Sequence, residues 1–274
     1  MTVWESRVKS TPNNDFMINL SNATTFTYKS ANELSLNVSS AIQSLPGCKC
    51  LALLMPSCAE HVCLWLGLSR VGCTAALINT NLMGTALVHA IKTAVGDSET
   101  KRVVVSEELL TNVDAVRGQL SSLGIEVLVY YHNTNKVSGF NKLLEQTSGT
   151  PVDQDGVPAR AWNSDLFYIY TSGTTGLPKA SKINHLRFYI AGLMFSKLCR
   201  AGTSDRIYCA LPLYHSAGGM LGVSGAICAG ATIVLRSKFS VSKLSSDLVT
   251  NKCTIMQYIG GECRVRHSEE RRSE

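Results

Sequence analysis

Five short runs of almost unbroken apolar character, separated by longer segments, constrain this chain more than any other feature. They are CLALLM at residues 50–55, TAALI at 74–78, KRVVVS at 101–106, IEVLVYY at 125–131 and DLFYIY at 165–170. A strand that is apolar on both sides must be covered on both faces, which is the habit of parallel sheets with crossover helices. HVCLWLGLSR, between the first two runs, reads as a helix, and a helix-like segment ending at Gly124 separates the third from the fourth. Upstream, Thr25–Tyr28 reads as a short strand leading into a helix that carries Leu34, Val38, Ala41 and Leu45. Ser30 and Glu33 have capping-box spacing at its start, and Pro46-Gly47 ends it. The expected fold class is α/β, with mostly parallel sheets layered between helices. Residues 132–164 read as a long polar connection, and a second α/β unit is expected from about residue 165.

Composition excludes several functions. The net charge of +6, from 26 basic and 20 acidic residues, is scattered. Its densest region is Lys179, Lys182, Arg187, Lys197 and Arg200, and apolar residues interrupt it. That suits a small anion rather than nucleic acid, which calls for a clustered basic stripe. The N-terminus MTVWESRVKS has no apolar h-region, so the ten cysteines are expected to be reduced and the sequons at Asn22 and Asn37 unused. Cys48, Cys50, Cys58, His61 and Cys63 cluster in sequence, but their spacings do not match paired C-x-x-C zinc knuckles, and buried core thiols are the expected reading. Residues 218–235, GGMLGVSGAICAGATIVL, carry no charge, yet five glycines interrupt them; a helix, a turn and a strand at Thr232–Leu235 fit better than a membrane span. The final stretch RVRHSEERRSE, residues 264–274, is too charged to pack and is expected to be a disordered tail.

The chemistry concentrates in YIYTSGTTGLPK, residues 168–179. It follows a strand, and α/β sheets place ligands at the carboxyl ends of their strands. Gly173 and Gly176 let the backbone turn its N–H groups toward one anion. Thr171, Ser172, Thr174 and Thr175 add hydroxyl donors, and Lys179 adds a point charge suited to phosphate. Leu177 and Pro178 separate the second glycine from the lysine, so this is not a Walker loop. The plain alternative is a flexible Ser/Thr/Gly turn. A second constellation, Leu211-Pro-Leu-Tyr-His-Ser-Ala-Gly-Gly219, follows a short strand at 207–210. His215 there could place a donor beside a substrate carboxylate, or it could be a histidine satisfied within a turn. A Ser–His hydrolase is disfavoured, because no G-x-S-x-G elbow surrounds Ser216. His185 reads as the start of a helix capped by Asn184.

The loop YIYTSGTTGLPK resembles the phosphate-loop signature of the adenylate-forming, or AMP-binding, enzymes. Ala76–Leu82 (ALINTNL), Leu211–Gly218 and Cys253–Gly260 (CTIMQYIG) narrow the likeness to the fatty acid transport protein branch, the very-long-chain acyl-CoA synthetases. It runs in register from about Thr25 to Arg264. The resemblance implies a ligase that uses ATP with Mg2+ to adenylate a long-chain or very-long-chain fatty acid and then passes the acyl group to CoA, coupled to fatty acid uptake. It also implies that Tyr170 and the segment Thr171, Ser172, Gly173, Thr174, Thr175, Gly176 and Lys179 bind the β- and γ-phosphates. Tyr214 and His215 would lie beside the acyl carboxylate, so that Thr171, Lys179 and His215 carry catalysis.

Departures from the pattern shape the remaining expectations. The resemblance implies a family chain more than twice as long, with an adenine- and magnesium-contacting segment, a ribose aspartate, a hinge and a small C-terminal domain bearing a catalytic lysine. None is found here, and Ile259-Gly-Gly261 replaces the family's Ile-Gly-Glu. Residues 1–263 are therefore expected to form a partial AMP-binding domain, in a truncated isoform or fragment that is inactive alone. By family its place is the cytosolic side of the endoplasmic reticulum, peroxisomal or plasma membrane. With no targeting segment of its own it is cytoplasmic if it exists alone. The competing reading is a non-catalytic remnant that binds nucleotide, lipid or a full-length partner; an unrelated phosphate-binding NTPase is disfavoured by the absent Walker pattern.

Overall fold

A computed structural model of the protein describes residues 2–132, 138–152, 162–172 and 178–260. Among them run the strands β1 Asp15–Asn19, β2 Thr24–Thr27, β3 Cys50–Leu54, β4 Thr74–Leu77, β5 Lys101–Ser106, β6 Ile125–Tyr130, β7 Asp165–Ser172, β8 Pro178–Asn184, β9 Arg206–Cys209, β10 Thr232–Leu235 and β11 Ile255–Gln257. The chain divides into two compact units, one of Asn32–Pro56 with Glu60–Arg187, the other of Met1–Ala31, Ser57–Ala59 and Phe188–Glu274.

The Asn32–Arg187 unit is built on a six-stranded sheet in the order β6-β5-β3-β4-β7-β8. All its neighbours are parallel except β7 and β8. Every residue of β3 and β4 is buried, which explains their unbroken apolar sequence. On one face Ala52, Leu54, Ala76, Val103 and Val105 pack against Leu87, Ile91 and Val95 of the helix Gly84–Val95. On the other, Trp65 of the helix Ala59–Arg70 meets Phe167 of β7 edge-on, with ring centroids 5.3 Å apart. Each buried Leu or Val contributes about 1.5–3 kcal/mol, so these two helices fix the sheet as a covered middle layer. Gly67 allows the helix Tyr28–Gln43 to lie close, since a Cβ there would sit 2.6 Å from the Ser35 carbonyl oxygen.

The Phe188–Glu274 unit carries a five-stranded sheet in the order β11-β9-β10-β1-β2, parallel except for the β1–β2 pair. Its N-terminal part is held by three aromatic rings, Trp4, Phe16 and Tyr28, with centroids 4.7–5.6 Å apart. The Tyr28 hydroxyl donates to the Ala231 carbonyl at 2.9 Å. Leu244 of the helix Val241–Thr250 packs on Tyr208 and Val234.

Several expectations shift. The first expected strand is β2, and Tyr28 already belongs to the following helix. That helix is capped by Thr27 and Ser30, each side-chain oxygen accepting from the other's backbone N–H (2.9 and 3.1 Å), rather than by Ser30 and Glu33. The connection over 132–164 contains the helix Gly139–Gln146. The segment before Gly124 is broken into three short turns, Glu107–Leu109, Leu110–Asp114 and Arg117–Ser122. The strand starting at Asp165 completes the first sheet instead of opening a second unit, and the division falls after Arg187. Residues 218–235 do form helix, turn and strand, with Gly230 at φ +73° between Ser224–Ala229 and β10. Among the described residues no helix is long and apolar enough to cross a membrane. The charged tail, residues 264–274, lies outside the described residues.

Candidate functional site

The glycine-rich motif lies at the carboxyl end of β7, the strand next to the sheet edge. It joins β7 to the antiparallel edge strand β8, with Thr171 opposite Lys179 and Ser172 opposite Pro178. The hairpin is anchored from below: β7 pairs in parallel with the buried β4, Ala75 to Phe167 and Leu77 to Ile169. Phe167, Ile169 and Tyr170 are buried, so the strand cannot shift register without losing its core. Lys179 is exposed, one residue into β8. Gly173, Thr174, Thr175 and Gly176 lie outside the described residues, and of Thr171 and Ser172 only the backbone is described.

Polar groups on the same hairpin are mutually satisfied. The Tyr168 hydroxyl donates to Asp165 Oδ2 at 3.0 Å, and Lys182 Nζ sits 3.4 Å from the same oxygen and 5.6 Å above the Tyr168 ring. Burial and the Asp165 carboxylate push the Tyr168 phenol well up. Lys182 is thereby tied to Asp165, at the far end of β7 from the motif. Tyr170 differs: burial raises its phenol, and its hydroxyl has no hydrogen-bond partner among the described residues. It belongs to the apolar cluster that includes Ala52 and Leu54 of β3 and Leu87 and Ile91 of the helix Gly84–Val95. Downstream, Asn184 Oδ1 accepts from the Arg187 N–H at 2.8 Å and caps the helix His185–Leu198, as its sequence suggests.

The second motif belongs to the other compact unit. β9 ends at Cys209 and the chain turns through Leu211–His215, where the His215 N–H donates to the Pro212 carbonyl at 3.0 Å. The Leu213 N–H donates to Ser57 Oγ at 2.9 Å, which pins the turn. A π-helical stretch, Ser216–Val223, follows at once; such wide turns are uncommon and often mark functional places. Gly218 permits it, because a Cβ there would lie 2.5 Å from the Pro212 carbonyl oxygen and 2.6 Å from that of Leu211. Gln257 of β11 donates its side-chain amide to the Ala217 carbonyl, and its buried Oε1 has no hydrogen-bond partner among the described residues. Tyr214 is buried while His215 is exposed, their rings 4.7 Å apart. Desolvation by the surrounding turn lowers the His215 imidazole below its ordinary value, which favours a neutral ring able to donate or accept. Ser57, Gln257 and the π-helical stretch went unread in the sequence. A glutamine inside the otherwise apolar run Ile255–Gln257 was the one local signal.

The clustered cysteines differ in exposure, Cys48 being partly exposed. Cys50, Cys58 and Cys63 are buried, and His61 Nδ1 lies 3.1 Å from the Pro56 carbonyl. None of the nine described cysteines is in a disulfide.

A family model described as "AMP-binding enzyme" matches residues 4–260, nearly the whole chain. The chain belongs to the AMP-binding enzyme family. Among curated proteins it is similar to "Long-chain fatty acid transport protein 2" of Rattus norvegicus, 36% identical over 94% of this chain and 41% of the relative. It is also similar to "Long-chain fatty acid transport protein 1" of Homo sapiens, 36% identical over 80% of this chain and 35% of the relative. The chain thus spans less than half the length of these relatives. Among solved structures, the inhibitor-bound N-terminal domain of FACL13 from Mycobacterium tuberculosis superposes with a TM-score of 0.80 at 23% identity, covering 96% of this chain and 63% of that one. The anthranilate CoA ligase AuaEII in complex with anthranoyl-AMP gives a TM-score of 0.79 at 21% identity, covering 93% of this chain and 48% of that one. At such identities the superpositions establish the fold: two parallel-rich sheets of the kind found in N-terminal domains of adenylate-forming enzymes.

Proposed function

We propose that this AMP-binding enzyme chain is the ATP-handling part of a ligase that activates long-chain or very-long-chain fatty acids as acyl-CoA, in connection with fatty acid uptake. The match of residues 4–260 to the family, with the motif at the carboxyl edge of a parallel sheet, carries this reading. A carboxylate is a poor electrophile and repels a triphosphate. ATP supplies an AMP group that activates it, with loss of pyrophosphate, and the CoA thiol then displaces AMP. In this reading the backbone N–H groups and hydroxyls of Thr171–Gly176, with Lys179, hold the β- and γ-phosphates and neutralise their charge. Such preorganised donors contribute several kcal/mol to a transition state. Tyr214 packs behind His215, whose imidazole donates to the fatty acid carboxylate. Among the described residues no grouping of carboxylate, histidine or cysteine ligands includes a residue of the motif. Membrane association of the working protein and pairing with a full-length homologue belong to the same proposal.

A second reading concerns the 274 residues expressed alone. In it these residues, which span 41% and 35% of two relatives, bind nucleotide, lipid or a partner without turnover. Both readings meet in one assay: acyl-CoA formation from ATP, CoA and a long-chain fatty acid, run on the 274-residue chain and on a chimera in which residues 4–260 replace the matching segment of a long-chain fatty acid transport protein. Thioester from the chimera and none from the short chain supports both. A folded chimera without thioester removes the first reading, and turnover by the short chain removes the second.

A further inference from the structure

The thiols of Cys48 and Cys73 lie 3.8 Å apart, within one compact unit and away from the phosphate motif. Cys48 precedes β3 and Cys73 precedes β4, at the amino edge of the sheet, whereas the motif is at the carboxyl edge. The two turns are tied by the Thr74 N–H, which donates to the Lys49 carbonyl at 2.9 Å. Each cysteine follows a glycine in the left-handed region, Gly47 at φ +71° and Gly72 at φ +73°. A Cβ on Gly72 would meet nothing within 4 Å, so the backbone just before Cys73 borders open space. The remaining approach, from 3.8 Å to a bond of about 2.05 Å, is within reach of side-chain rotation and a small turn shift.

We propose that Cys48 and Cys73 form a reversible disulfide when the protein meets a low-molecular-weight disulfide, Cys48 attacking first and Cys73 resolving. Exposure supports the order: Cys48 is partly exposed and Cys73 is buried. The hydrogen bond with Cys73 holds the Cys48 thiol below its ordinary value against the effect of burial, with help from Arg102. The same bond and burial raise Cys73 well above its own. Partly exposed, electropositive surroundings are those in which thiolates react. The Cys48 thiolate attacks one sulfur of oxidised glutathione and releases one glutathione thiolate. Cys73 then gives up its proton and attacks the Cys48 sulfur, releasing the second glutathione. The protein dithiol loses two electrons, and glutathione disulfide gains them. The product staples the starts of β3 and β4.

Trypsin separates the two sites, leaving Cys48 alone in residues 30–49, Cys73 alone in 71–92, and Cys50, Cys58 and Cys63 in 50–70. The test incubates the folded 274-residue chain with increasing oxidised glutathione, blocks free thiols with iodoacetamide, and maps tryptic peptides by mass spectrometry. The expected product is a 30–49/71–92 conjugate, about 2 Da lighter than the sum of its peptides. It should be cleaved by dithiothreitol and absent in Cys48→Ser and Cys73→Ser. Closing a loop of this length should also raise the midpoint of thermal unfolding by on the order of 5–10 °C. Free Cys48 and Cys73 at doses that glutathionylate the exposed Cys199, a conjugate formed only in urea, or Cys48 joined to 50–70 instead would each overturn the proposal.

Discussion

Asp247→Ala should be among the most damaging single changes in the Phe188–Glu274 unit. Asp247 is 7% exposed and receives the Arg236 guanidinium on both carboxylate oxygens, Nη2 to Oδ1 at 2.6 Å, together with the Tyr208 hydroxyl at 3.2 Å. The pairing also raises the Arg236 guanidinium beyond its ordinary value. Truncating the carboxylate leaves a guanidinium whose side chain is only 20% exposed without its counter-charge, a break of about 3–5 kcal/mol for buried pairs. Loss of the tyrosine hydrogen bond adds about 1 kcal/mol, and partial hydration of Arg236 returns some of the total, leaving about 3–4 kcal/mol. For a chain of this size that lowers Tm by about 8–12 °C. Urea and thermal unfolding followed by circular dichroism provide the measurement. Removing both charges together, Asp247→Leu with Arg236→Met, should return to within about 1 kcal/mol of the parent, since a well-packed apolar pair replaces the ionic one. A single Asp247→Ala variant within about 0.5 kcal/mol of the parent refutes the reasoning.

Two histidines, His61 buried and His132 half-buried, should give opposite pH dependences. Burial holds His61 down at about 4, so between pH 6.5 and 4 the unfolded chain binds a proton that the folded chain refuses. Its contribution is complete above pH 6.5 and falls as pH drops, by on the order of 3 kcal/mol; urea midpoints of parent and His61→Asn that decline alike contradict this. Burial opposes the charging of His132, but Glu60 at 3.7 Å and Glu108 at 3.9 Å overcome it and raise the imidazole. That stabilisation is full below the ordinary histidine value and is lost as pH rises through the raised one, so His132→Gln should cost more at pH 5.5 than at pH 8. An equal cost at both would overturn it. Gly218→Ala places a Cβ 2.5 Å from a backbone oxygen and should destabilise the Leu211–His215 turn by about 1–3 kcal/mol, whereas Gly202→Ala, whose nearest neighbour is 3.9 Å away, should be near neutral. Unfolding midpoints that do not separate the two variants count against the packing argument.

What the sequence reveals depends on how local the cause is. β3, β4 and β5 are apolar because both faces are covered, and that cause is written into each strand itself. β1 pairs with the nearby β2, but its place inside the sheet comes from β10, Met17 opposite Ile233, more than two hundred residues away. The Trp4–Phe16–Tyr28 cluster likewise joins residues that no sequence window holds together. β8, with Lys179, Ser181, Lys182 and Asn184, looks like a loop, yet charged residues are what an exposed edge strand carries. Of the candidate site, the residue types and their place after strands were legible. The roles of Ser57 and Gln257 were not, because each depends on a contact distant in sequence, and the antiparallel partner β8 was hidden by its polar, loop-like residues.

The central claim is that the β7–β8 motif holds the phosphates of ATP. ATP–pyrophosphate exchange with a long-chain fatty acid tests it, comparing the chimera carrying residues 4–260 with its Lys179→Ala variant. Lys179 is exposed, so the variant should keep the parent's unfolding midpoint while exchange falls by about a hundredfold. Exchange at the parent rate in a variant of unchanged stability contradicts the account.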